Sequence, residues 1–126
     1  MRPRTLAEVA QLTLDGDSFD RCFANFLDEF YAAPEEDALT ASPALLAPVF
    51  GERGQVQDAY LAAAAEELSR AQNSSPPAWV TAETRKLHRP WFASPLAALR
   101  AGLLLESPAS FRAQNLFVSA NALTRA

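Results

Sequence analysis

The 126-residue chain has one cysteine, Cys22, one histidine, His88, and only four glycines. Each scarcity excludes a class of protein. A lone cysteine closes no internal disulfide, so a stapled secreted scaffold is ruled out. One Cys and one His fall short of the roughly four ligands that a structural zinc site takes. Four scattered glycines form neither a phosphate loop nor a dinucleotide fingerprint. Strand signals are nearly missing, and Leu116-Phe117-Val118 is the single short β-like run. No apolar stretch approaches the roughly 20 residues of a membrane helix. Residues 1–20 lack a continuous apolar segment and carry Glu8, Asp15 and Asp17, unlike a signal peptide. The expectation is a soluble cytoplasmic protein with no membrane partner.

The content points to one helical domain. Hydrophobic residues make up 49% of a 13.7 kDa chain, enough for a single core. The net charge of -4 conceals a strong polarity. Residues 1–69 hold 13 of the 15 acids and four of the 11 cations; residues 70–126 hold two acids and seven cations. Such a chain either pairs its halves internally or shows two faces to different partners. All but one of the cations are arginine, the residue suited to planar contacts with carboxylate and phosphate.

Nine prolines punctuate a series of helical patterns. Thr5 with Glu8 forms a capping box, and the helix it starts stops near Asp15-Gly16. A second start falls at Asp17, with Asp20 three residues on. Behind it Phe19, Cys22, Phe23, Phe26, Leu27 and Phe30 recur every three or four residues, the spacing of a single buried helix face. Pro34 ends that run or opens a short helix through Glu35, Glu36, Asp37, Ala38 and Leu39. Ser42-Pro43-Ala44-Leu45-Leu46 reads as a capped turn closed by Pro48, and residues 51–54 as a loop. A long helix then runs from Gln55 to Ala71, with Val56, Tyr60, Ala63, Ala64, Leu68 and Ala71 on one face. Residues 73–77, which end in Pro76-Pro77, interrupt it and suggest a hinge. Ser94-Pro95 and Ser107-Pro108 each read as a cap followed by proline at the first helical position. Leu96, Leu99, Leu103 and Leu104 line the first of these helices, and Phe111 and Arg112 sit on the second. The expected fold is all-α: a small compact bundle of about five to seven helices, several of them short, over residues 1–126.

Catalytic chemistry finds little footing. Most of the carboxylates (Asp15, Asp17, Asp20, Asp28, Glu29, Glu35, Glu36 and Asp37) sit at helix starts or on exposed faces, where capping and solvation explain them. Cys22 and His88 offer a thiol–imidazole pair, but Cys22 falls inside the phenylalanine stripe, the place of a small core hydrophobe. The expectation is a protein that is not an enzyme, with no cofactor and no metal. Two binding readings stand. Arg85, Lys86, His88 and Arg89 interleave with Trp79, Trp91 and Phe92, a composition suited to phosphates and bases. That makes a DNA-binding regulator using residues 85–89 the alternative, set against a sequence pI near 4.9. The same cations and aromatics also suit a protein interface. The closing residues 115–126 are apolar and poorly charged, so they fold back on the domain or dock on a partner.

Several blocks bear on the choice. Asp58-Ala59-Tyr60-Leu61-Ala62-Ala63, Pro77-Ala78-Trp79-Val80, Pro90-Trp91-Phe92-Ala93, Glu106-Ser107-Pro108 with Phe111-Arg112, and Asn115-Leu116-Phe117-Val118-Ser119 with Asn121-Ala122-Leu123 cover most of the chain. Together they resemble a family of small bacterial helical proteins encoded beside abortive-infection-type nucleotidyltransferase toxins. The resemblance implies an antitoxin that neutralises a cognate toxin by direct protein binding. It carries over no catalytic residues. Candidate partner-binding residues are Arg85, Arg89, Trp91, Phe92, Arg112, Leu116 and Phe117 in the cationic half, and Asp28, Glu29, Glu35 and Glu36 in the acidic half.

Overall fold

A computed structural model describes residues 2–35, 37–93 and 97–124. The chain is mainly helical. Helices α1 (Leu6–Leu14), α2 (Phe19–Ala32), α3 (Asp37–Thr40), α4 (Ala47–Phe50) and α5 (Glu52–Ala71) come first. Two 3-10 turns, Ala78–Thr81 and Glu83–Arg85, lead to strand β1 (Trp91–Phe92). Helices α6 (Ala97–Glu106) and α7 (Ala109–Arg112) and strand β2 (Leu116–Phe117) follow. No described helix is long and apolar enough to cross a membrane.

The first two helices follow their sequence signals closely. Thr5 Oγ1 accepts from the Glu8 N–H at 3.0 Å, and Gly16 takes a φ of 107° after α1 ends. The cap of α2 is Ser18 rather than Asp17, because Ser18 Oγ accepts from Arg21 N–H at 3.3 Å. Asp17 instead accepts from the Ser18 N–H and pairs with Arg21. The phenylalanine stripe is core: Cys22, Phe23, Phe26, Leu27 and Phe30 are buried, and Phe19 packs against them.

The middle of the chain departs from expectation. Residues 42–46 are not helical, and Pro48 lies in the first turn of α4 instead of closing a turn. Residues 51–54 are no loop either, since α5 starts at Glu52. Gly54 is buried inside it because α5 crosses the chain at Leu46: an added Cβ would lie 2.4 Å from the Leu46 carbonyl oxygen. The glycine here serves a close approach of two backbones.

Helix α5 is the axis of the fold. Ala59, Leu61, Ala62, Ala63, Ala64, Ala65 and Leu68 are buried on it, while Ala71, at its end, is exposed. Those small side chains let α4, α7 and the 3-10 turns pack close. A chain of rings ties α2 to α5 and α7: Phe23 meets Tyr60 at 5.3 Å, and Tyr60 meets Phe111 at 5.0 Å, both edge to face. Helix α5 ends before Asn73, whose φ is 56°. The Ser94-Pro95 start of α6, Leu96 and the Leu99 side chain lie outside the described residues.

The closing segment folds back. Leu116, Val118 and Leu123 are buried in the same cluster as the α2 stripe. Strand β2 pairs in parallel with β1, Trp91 opposite Leu116 and Phe92 opposite Phe117. Ser107 does not cap α7. Its Oγ accepts from the Val118 N–H at 2.8 Å, and its hydroxyl lies between the Leu103 and Val118 carbonyls. Tyr31 adds a further tie, its hydroxyl donating to the Leu123 carbonyl at 2.6 Å.

Candidate functional site

The short β ribbon gathers the cationic-half candidates. Asn115, at a φ of 63°, turns the chain from α7 into β2. Its side-chain N–H donates to the Leu87 carbonyl at 2.8 Å, and its carbonyl accepts from the Trp91 N–H at 2.8 Å. These bonds set the segment of Arg89, Trp91 and Phe92 beside the segment of Arg112 and Phe117. On one face Phe92 and Phe117 stack at 5.0 Å, and the Arg100 guanidinium lies 5.0 Å over the Phe92 ring. Trp91 is 36% exposed on the other face. Arg89 and Arg112 are exposed, and neither forms an ion pair among the described residues.

Two candidates are corrected. Arg85 is only 3% exposed. Its guanidinium donates to the Pro43 carbonyl and covers the Trp79 ring at 4.8 Å. A side chain so engaged belongs to the core and offers nothing to a phosphate or a partner. Leu116 is fully buried and fills the core under β2.

The acidic candidates divide. Arg2 bridges Asp28 at 3.2 Å and Glu29 at 3.1 Å. Glu35 is exposed, and Glu36 lies outside the described residues. No described ion pair joins the acids of residues 1–69 to Arg89, Arg100 or Arg112. Cys22 is buried and His88 exposed. Burial, with the Asp17 charge, pushes the Cys22 thiol up and keeps it protonated.

One buried polar group escaped the sequence reading. Asp58 has no exposed surface. Its carboxylate accepts from the Leu46 N–H at 2.7 Å and the Ala47 N–H at 3.1 Å, which anchors the start of α4 to α5. Burial pushes its pKa up; those two bonds and the Arg85 charge pull the other way. With Arg85 on Pro43, and Trp79 Nε1 donating to the Leu39 carbonyl at 3.0 Å, three side chains clamp the connection between α3 and α4. The available signal was an acid on the alanine face of α5, four residues after a glycine.

A cleft of about 800 Å³ opens between α2, the start of α5, β1 and the closing segment. Phe19, Phe23 and Tyr60 wall one side, and Trp91 and Val118 another. Burial and the Asp20 charge push the Tyr60 phenol up to about 12, so it stays neutral. Asp20 and Glu52 stand exposed in the lining. Sequence reading named Trp91 but not this cleft, because its walls come from four distant segments.

Comparison with protein-family models, curated proteins and solved structures finds no match.

Proposed function

We propose that this chain is a non-enzymatic antitoxin that neutralises a cognate nucleotidyltransferase-like toxin by direct contact. The observation that supports this reading most is apolar surface left uncovered on a well-packed fold. Leu105 is 85% exposed and Leu104 46% exposed on α6, and Trp91 stands open at the cleft. Apolar groups held in water by a folded scaffold favour a protein partner. The uncompensated charge adds to it: exposed acids such as Glu35 suit a basic nucleotide or RNA site on the toxin, while Arg89, Arg112, Trp91, Phe92 and Phe117 anchor the complex. Burial of Arg85 takes a cation from the basic patch and weighs against a DNA-binding regulator.

The test is co-expression with the product of the adjacent gene, which this reading expects to be a nucleotidyltransferase-like toxin, scored by growth rescue and co-purification. Leu105→Glu changes a side chain that is 85% exposed and should melt with the parent, while Trp91→Ala, at a side chain 36% exposed, is scored alongside circular dichroism that verifies its fold. Together they should abolish rescue and capture. A folded double variant that rescues growth in full removes this surface from the interaction. Submicromolar DNA binding at physiological salt by the isolated chain, lost in Arg89→Ala, would put the regulator in its place.

A further inference from the structure

The cleft between α2, α5 and the closing segment is chemically lopsided. Its walls are aromatic and aliphatic, and its described lining carries two carboxylates against one cation. Asp20 and Glu52 are exposed and form no ion pair among the described residues. The Gln57 side-chain oxygen is buried in the lining with no hydrogen-bond partner. A buried acceptor without a donor costs free energy, which an incoming donor recovers. The one cation of the lining, Arg53, lies with its guanidinium 5.5 Å over the Phe50 ring, so the two carboxylates leave the cleft with a net negative charge. What fits is a group that is positively charged, donates only, and brings apolar surface for the Phe19, Phe23, Tyr60 and Trp91 rings. A Lys or Arg side chain among apolar neighbours meets all three conditions, since its stem packs on rings while its head reaches a carboxylate.

We propose that this cleft docks a segment of a protein partner that presents a Lys or Arg side chain among apolar ones, the cation meeting Asp20, Glu52 and the Gln57 oxygen. The inference rests on the protein-binding reading above and adds the chemistry of the partner's contact. The volume accommodates several side chains, within the usual range of ligand clefts. Acidic and purely apolar segments are disfavoured, the first by the carboxylates and the second by the acceptors it would leave unpaired.

The experiment selects a random-peptide phage library on the full-length chain. Enriched peptides are synthesised and their affinities measured by fluorescence polarisation. The expected sequences carry Lys or Arg beside apolar residues. Asp20→Lys and Glu52→Lys should each weaken them by about tenfold or more, Asp20→Asn and Glu52→Gln by less. Thr84→Ala, outside the cleft, should bind as the parent does. Both acids are exposed, and circular dichroism verifies that every variant is folded. Enriched peptides without a basic residue, no enrichment at all, or affinities unmoved by both charge reversals would overturn the proposal. The same variants separate it from the antitoxin reading. Toxin capture that survives them removes the cleft and leaves the antitoxin; a parent that captures no toxin removes the antitoxin, while the peptides still decide the cleft.

Discussion

At the scale of single residues, the clearest result is the structural role of Asp58. Asp58 holds two backbone N–H groups that no other acceptor reaches. Asp58→Asn keeps the shape but turns an amide N–H toward the Ala47 N–H, and should cost roughly 1–3 kcal/mol in urea unfolding. The pH dependence has a definite sign. The folded pKa of Asp58 lies above its ordinary 3.8, so the folded state binds the proton more tightly than the unfolded one. The parent then loses stability as the pH rises through the window above 3.8. The stability gap between parent and Asp58→Asn should therefore widen as the pH falls from about 7 to 4; a gap that narrows would mean a depressed pKa. Asp17 runs the other way: Arg21 and the Ser18 N–H hold it low, so its small contribution is present above pH 3.8 and lost in acid. Gly54→Ala should destabilise by about 1–3 kcal/mol, because the added methyl drives α5 off the Leu46 backbone. The sequence does not distinguish Asp58 from a surface acid or Gly54 from a loop glycine. Both depend on residues 46–47 crossing α5, a contact between non-adjacent segments that no local pattern records.

At the scale of elements, legibility follows the range of the forces. Helices α1 and α2 were readable because a cap, a stop and a periodic stripe all lie within one stretch. Phe26→Ala should cost roughly 3–5 kcal/mol, a large share of a small domain's stability; a melting temperature within a degree or two of the parent would mean that the stripe is not core. Helix α4 and the true start of α5 were misread because Pro48 and the Gly51–Gly54 pair are ambiguous locally: proline opens helices as well as closing them. The ribbon was half visible. Leu116 and Phe117 show β character, yet their partners Trp91 and Phe92 are set by the Asn115 turn and by Ser107, both tertiary. The closing segment illustrates the same point, since its apolar content leans only slightly toward folding back over docking. Burial of Leu116, Val118 and Leu123 decides for folding back. Each contributes about 1.5–3 kcal/mol, so deletion of residues 115–126 should collapse the helical circular dichroism signal rather than leave a folded domain that has lost only its partner.

At the scale of the molecule, no described ion pair joins the acids of residues 1–69 to Arg89, Arg100 or Arg112, and the fold keeps apolar groups in water at Trp91, Leu104 and Leu105. Those features together make a binding protein the natural reading, and they divide the labour. The α5 alanines, the α2 stripe and the closing segment make the scaffold, while α6, the β ribbon and the acid-rimmed cleft are the surfaces proposed for contact. Of the candidate contact residues read from sequence, Arg89, Trp91, Phe92, Arg112 and Phe117 converge on the ribbon because β1 and β2 pair. Arg85 left the set because its guanidinium is buried against Pro43 and Trp79. The central claim is neutralisation by contact rather than by chemistry, and stoichiometry tests it most directly. The purified chain is titrated into the purified nucleotidyltransferase-like toxin while nucleotidyl transfer is followed. Inhibition should grow in proportion to the chain added, saturate at the fixed ratio of the complex isolated by size exclusion, and reverse when the complex is dissociated. Full and lasting loss of toxin activity at a small fraction of that ratio would show turnover, and would contradict the account.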